Sequence, residues 1–196
     1  MTSLGVKKPV LGCFSADFNG KAARWVNQLH AQNALPYQNP SLPVDKRVDY
    51  LVSRLTIDEK ISQMHFDAVA IPRLGLKQWG YWSEGLHGVA RWKEATVFPQ
   101  VVGLGSTWNP ALIQKMSNVI GVEARIFNNL HGKGLTYFSP TINLARDPRW
   151  GRTEEAYSED PYLTGRMGVA FVKGLQGNDP NYTLAAATVK HFVADN

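Results

Sequence analysis

An α/β fold built on parallel strands is what this sequence predicts, and three observations carry the expectation. Short apolar runs of buried-strand type, "QWGYW", "LTYFS" and "AAATVKHF", alternate with two strongly signalled helices. Each of those helices opens on a side-chain cap followed at once by proline, which marks its boundary with the preceding segment. The polar residues with chemical potential gather at the ends of the apolar runs, where ligands bind in α/β proteins.

Taken in order, residues 1–40 lack periodicity apart from a short helix expected near Lys21–His30. They end in the proline-rich "LPYQNPSLP", a linker by composition. An N-terminal extension and linker is therefore expected over 1–40, with the folded domain over 41–196. Val44, Val48, Leu51, Val52 and Leu55 share one helical face, and Thr56 with Glu59 forms a capping box opening a second helix to about Phe66. After Pro72 the strand-like runs begin. Asn109 caps a helix that starts with Pro110 and runs to about Asn129. Asp160 caps another that starts with Pro161 and ends near Gly174 and Gly177. The resulting order is strand, helix, strand, helix, strand.

Composition narrows the function. Hydrophobic residues make up 44% of the 196, enough for a core, and no run approaches the length of a membrane span. The net charge of +5 sits mainly in residues 1–54, leaving the body nearly neutral and without a basic stripe. Neither nucleic acid nor a membrane is expected as a partner. Cys13 is the only cysteine, so an intrachain disulfide and a cysteine metal site are both ruled out. The N-terminus carries no convincing export signal, and Asn181-Tyr182-Thr183 is a glycosylation sequon only in a secreted chain. HExxH, the phosphate-binding GxxxxGK[ST] and GxSxG are absent, and the histidines show no ligand spacing, so no cofactor or metal is expected.

Three polar sites remain at strand ends. Glu84 in "YWSEGLHG" follows two aromatics, a pairing that suits a sugar because rings stack on C–H faces while a carboxylate accepts from hydroxyls. "RDPRWGRTEEAYSEDP", residues 146–161, sets three arginines before a cluster of acids. Lys190 and His191 close the last run. Plainer readings stand beside these: Glu84 as a solvated acid, the charged stretch as a salt-bridge lattice, Asp160 as a helix cap, and Lys190-His191 as surface neighbours. Successive residues of a strand face opposite ways, so both cations reach one ligand only across a bend. His65, His87 and His131 read as structural.

"YWSEGLHGVAR", "ATVFPQ", "GLTYFSPTINLARDPRWGRTEEAYSEDPYLTGRMG", "FVKGLQG" and "KHFVADN" occur in series, and together they closely resemble the N-terminal barrel of family 3 glycoside hydrolases, in the β-xylosidase and β-glucosidase branch. The resemblance implies an incomplete (β/α)8 TIM-barrel-type domain, its first half only, over 41–196. It implies retaining hydrolysis of a terminal non-reducing β-glycosidic bond in an oligosaccharide or an aryl or alkyl β-glycoside, as part of a longer enzyme. Glu84 matches an acid gripping sugar hydroxyls, and Arg152, Lys190 and His191 match donors to the same sugar. Arg146, Arg149, Glu155 and Asp160 match architectural positions. No catalytic residue is assigned: the family's nucleophile and acid/base fall on later segments, and Asp195 stands where relatives commonly have Asn.

Many glucosidases carry Asp where this chain has Glu84, and the longer side chain is expected to disfavour a hydroxymethyl group and favour a pentose. A non-catalytic carbohydrate-binding or vestigial protein is the alternative. A half barrel leaves a strand edge and apolar faces uncovered. The isolated chain is expected to be inactive and to self-associate in sedimentation analysis. A monomer with a sharp, reversible unfolding transition is the contrary result.

Overall fold

The structure is a computed structural model and describes residues 35–193 and Asp195. Cys13, the helix expected near Lys21–His30 and most of the expected extension lie outside the described residues. The chain divides into two compact units, Met1–Lys60 and Ile61–Asn196.

In the first unit a 3-10 turn at Pro36–Gln38 precedes α1 (Val44–Arg54). The Arg47 guanidinium donates to the Tyr37 carbonyl at 2.7 Å, tying the turn to the helix. The valines at 44, 48 and 52 share a face as the spacing predicts, and they are exposed. α2 (Ile57–Ser62) is opened by the expected reciprocal cap, with Thr56 N–H donating to Glu59 and Glu59 N–H to the Thr56 hydroxyl.

That helix stops short of Phe66. Met64 N–H donates to the Ile61 carbonyl at 3.0 Å in a three-residue turn, and the Phe66 carbonyl accepts from Tyr81 N–H at 2.7 Å as the chain enters sheet pairing.

The second unit holds mixed helix and strand. β1 (Asp67–Ala68) pairs antiparallel with β2 (Trp79–Gly80). The run 78–82, expected as one buried strand, is therefore divided: its centre, Trp79–Gly80, is exposed and joins this small ribbon, and only Ser83 beyond it enters the parallel ladder, opposite Tyr137. β3 (Thr136–Tyr137) and β4 (Ala186–Ala187) pair in parallel, Thr136 with Ala186 and Tyr137 with Ala187, and the pairing recurs at Thr141 and Lys190. The spatial order is thus Ser83, β3, β4.

The connections are helical. A short α3 (Val101–Gly105) and the long α4 (Pro110–His131) lie between Ser83 and β3, and α5 (Pro161–Gln176) lies between β3 and β4. Asn109 and Asp160 cap α4 and α5, accepting from Leu112 N–H at 3.1 Å and Leu163 N–H at 2.7 Å. Both are the predicted caps, and the adjoining prolines cost nothing because those N–H groups have no helical partner. The left-handed Gly132 (φ 69°) ends α4.

The core lies between α4, α5 and β3. Ile113, Met116, Ile120 and Ala124 face Met167, Phe171 and Leu175, with Tyr137 and Val101 beside them. Each large side chain buried this way contributes about 1.5–3 kcal/mol. The helices approach closely because glycine sits at the crossing. A Cβ at Gly174 would overlap the Ser117 hydroxyl and the Gln114 carbonyl, and one at Gly121 would meet the Leu175 carbonyl. On its other side α5 borders an apolar groove of about 630 Å³ with Ile142, Leu144, Val169 and Val189 in its walls.

Gly174→Ala is expected to destabilise the chain by about 1–3 kcal/mol, since backbone atoms must shift to admit the methyl group. Gly165→Ala, where nothing lies within 4 Å, is its control in urea denaturation and is expected to be neutral or slightly stabilising.

Candidate functional site

Where the parallel segments end, their next residues turn into a common cleft. Ser83 is the last residue paired along β3, and its carbonyl accepts from Phe138 N–H at 2.8 Å. Glu84 follows, and its own carbonyl accepts from Ala90 N–H at 2.8 Å, closing the intervening loop. Gly85 lets that loop lie flat on the core: a Cβ there would stand 2.9 Å from the Tyr137 ring. Glu84 is thereby delivered to the cleft floor.

Its carboxylate is held at both oxygens. Lys190 Nζ lies 3.0 Å from Oε2, and the Ser139 hydroxyl donates to Oε1 at 3.0 Å. The Lys190 and Glu84 side chains are only 12% and 21% exposed, so the attraction is screened less than at the surface. Lys190 is itself fixed by the ladder, with N–H to the Pro140 carbonyl and its carbonyl accepting from Ile142.

The stretch 146–161 divides its charges by location. Arg149 pairs with Asp147 at 2.6 Å in the open, where an ion pair adds little stability. Arg152 precedes a 3-10 turn, Thr153–Glu155, which returns Glu155 to the same side. The two form a bidentate pair, Nε to Oε1 and the terminal nitrogen to Oε2, both at 2.7 Å. The Thr141 hydroxyl lies 3.3 Å from Oε2. Burial alone would raise the Glu155 carboxyl, but the Arg152 hydrogen bonds and charge, with Lys190, outweigh it and hold it below its ordinary range. It is therefore ionised at neutral pH and has no proton to give as a general acid. The same contact raises the Arg152 guanidinium further.

His191 leaves the ladder: its backbone N–H donates to Asn143 Oδ1 at 3.0 Å instead of to a strand. This departure is the bend required for Lys190 and His191 to line one cavity, and the peptide joining them is cis. The Nδ1 atom lies 2.9 Å from the same Asn143 oxygen and 3.1 Å from Asp195 Oδ2. Two acceptors at Nδ1 place the ring proton there, so in the neutral imidazole Nε2 is the acceptor. Burial, then the positive charge of Arg152, lowers the His191 pKa below the ordinary 6.5.

All four sequence candidates, Glu84, Arg152, Lys190 and His191, line a single cleft of about 740 Å³. Trp82 and Phe66 stand in its wall, ring centres 4.9 Å apart and perpendicular, with the Arg91 guanidinium 4.9 Å from the Trp82 ring centre. The cleft combines fixed acceptors, fixed donors and half-exposed aromatic surface, which suits a neutral polyol. Ser139, Thr141, Arg91 and Phe66 also line or brace the cleft and carry no signal of it in the sequence; Ser139 and Glu84 are too far apart in sequence for any local pattern. Glu155, matched to an architectural position, braces Arg152 from three residues on. Of the histidines read as structural, His87 has Nδ1 2.8 Å from the Phe98 carbonyl, and His131 packs against Trp92. Among the described residues no cluster suited to a metal ion is present, and no helix is long and apolar enough to cross a membrane.

Comparison with known proteins identifies the family. The glycosyl hydrolase family 3 N terminal domain model matches residues 80–196. A xylan 1,4-beta-xylosidase of Xylanibacter ruminicola is 45% identical over 169 residues, 81% of this chain and 20% of that protein. Among solved structures, a GH3 exo-beta-xylosidase (XlnD) in complex with a xylobiose aziridine probe superposes with a TM-score of 0.73 at 34% identity, over 80% of this chain and 22% of the other. The beta-glucosidase DesR from Streptomyces venezuelae, in complex with D-glucose, gives 0.61 at 31% identity, over 76% of this chain and 19% of the other. The chain belongs to glycosyl hydrolase family 3 and spans about a fifth of the length of these relatives.

The His191 Hε1 resonance is expected to titrate with a midpoint below 6.5. A base with a depressed folded pKa takes up protons more readily when unfolded. Its stabilising effect is present above pH 6.5 and lost as the pH falls through the folded value. The loss of stability on acidification below pH 6.5 is accordingly expected to be shallower in His191→Gln, as read by urea denaturation at stepped pH.

Proposed function

We propose that the chain forms part of the sugar-binding region of a retaining exo-β-glycosidase of β-xylosidase or β-glucosidase type, acting within a longer enzyme. The observation that carries the proposal is the convergence of Glu84, Arg152, Lys190 and His191, brought from three separate stretches of sequence, on one cleft walled by Trp82 and Phe66. In this reading the parallel order Ser83, β3, β4 is the first half of a (β/α)8 barrel over 41–196, with 1–40 as extension and linker, and the cleft lies at the strand ends where such barrels carry their sites.

The residues take distinct parts. Glu84 accepts from hydroxyls of the non-reducing sugar, Lys190 and Arg152 donate to them, and neutral His191 accepts through Nε2, where a donor was expected from sequence. None is the catalytic pair. Retaining hydrolysis needs a carboxylate that forms a glycosyl-enzyme ester and an acid/base that first protonates the departing oxygen and then activates water. In this reading both come from other parts of the enzyme, and the isolated chain hydrolyses nothing. The longer acid at position 84 fills space needed by a hydroxymethyl group, so xylosides are preferred over glucosides. The xylosidases among the relatives support that preference.

In the full-length enzyme, Arg152→Ala is expected to lower kcat/KM on a 4-nitrophenyl β-xyloside by about 10–100-fold, the loss of one or two hydrogen bonds to a charged group. An unchanged kcat/KM removes Arg152 from the site. Glu84→Asp is expected to move the preference from xyloside toward glucoside, and an unaltered ratio refutes the size argument.

A further inference from the structure

We propose that Ser139 is a positioning residue that determines sugar specificity: its buried hydroxyl fixes the Glu84 carboxylate so that it cannot swing aside for a sugar bearing a hydroxymethyl group. The inference rests on the reading of Glu84 given above and extends it to a residue 55 positions away in the sequence.

A hydroxyl has one proton and two acceptor positions. Ser139 Oγ accepts from Gly85 N–H at 3.1 Å, and its proton is directed to Glu84 Oε1 at 3.0 Å. Ser139 is 0% exposed and Gly85 is buried, so solvent does not reach the bond between them or the Ser139 end of its bond to Glu84. The relay is rigid at both ends. Gly85 is pressed on the Tyr137 ring, and Ser139 N–H donates to the Tyr137 carbonyl at 2.8 Å, so donor and acceptor are built on one residue of β3. Lys190, fixed at the end of β4, takes the other oxygen of Glu84 at 3.0 Å. A glutamate held at one oxygen keeps rotatable bonds with which to yield; held at both, it presents a wall. An aspartate, one methylene shorter, cannot keep both contacts without backbone movement. Discrimination is therefore a joint property of Glu84 and Ser139.

The test is a double-mutant cycle in the full-length enzyme, measuring kcat/KM for 4-nitrophenyl β-xyloside and β-glucoside with the unsubstituted protein, Ser139→Ala, Glu84→Asp and the double variant. Ser139→Ala is expected to lower the xyloside-to-glucoside ratio about tenfold, the effect of one hydrogen bond to a charged group. Added to Glu84→Asp, it is expected to change the ratio less than about twofold, because the shorter acid no longer meets the hydroxyl. Ser139→Cys, close in volume with a weak donor, provides the same reading should the alanine variant not fold. An unchanged ratio in a folded variant, an equal fall for both substrates, or the same fall in the Glu84→Asp background overturns the proposal and assigns Ser139 to the scaffold alone. Failure of the unsubstituted enzyme to cleave either glycoside overturns the functional reading, and this inference with it.

Discussion

β3 is the constraint on which the rest depends. It takes Ser83 on one side and β4 on the other, both in parallel, and Tyr137 at its end is fully buried beneath the long helix that precedes it. The segment that continues from it, Ser139 to Thr141, is also fully buried and carries two hydroxyls, one at the Glu84 carboxylate and one at Glu155. Parallel pairing makes the neighbouring chains point the same way, so their ends open on the same side. Glu84, Lys190 and the arginine stretch meet because β3 sets where each segment stops.

Two ion pairs in the cleft are set before any ligand arrives. Glu84 has Lys190 and Arg152 has Glu155, each pair also touched by a hydroxyl from the β3 segment. A buried charge left alone would cost several kcal/mol and would shift its protonation instead. Paired in this way, the groups hold fixed directions while keeping hydrogen-bonding capacity. A neutral polyol can then exchange hydrogen bonds with preset partners, and the low-lying His191 pKa adds an uncharged acceptor near neutral pH.

Much of the local structure was legible. The capping box of Thr56 and Glu59 and the caps Asn109 and Asp160 are short-range events in which a side chain satisfies a backbone N–H three residues away, and the prolines sit beside two of them. The run 78–82 is divided where its pattern predicts a single strand, because a short apolar run carries no record of its partner. Its centre pairs with β1 and its continuation with β3, and that choice is made by chain segments far away. The same limit applies past Ser62, where the chain leaves α2 and the Phe66 carbonyl pairs with Tyr81, a residue fifteen positions on.

By itself the sequence determined the capped starts of α2, α4 and α5, the near-neutral body, the four candidate residues and, through ordered motifs, the family. Each depends on neighbours in the chain or on residue identity, which a string of letters preserves. Tertiary structure alone decided that the four candidates share one cleft, that His191 holds its proton on Nδ1, and that Ser139 grips Glu84. Those facts turn on contacts of about 3 Å between residues tens of positions apart, and such contacts exist only once the parallel register of β3 has been set.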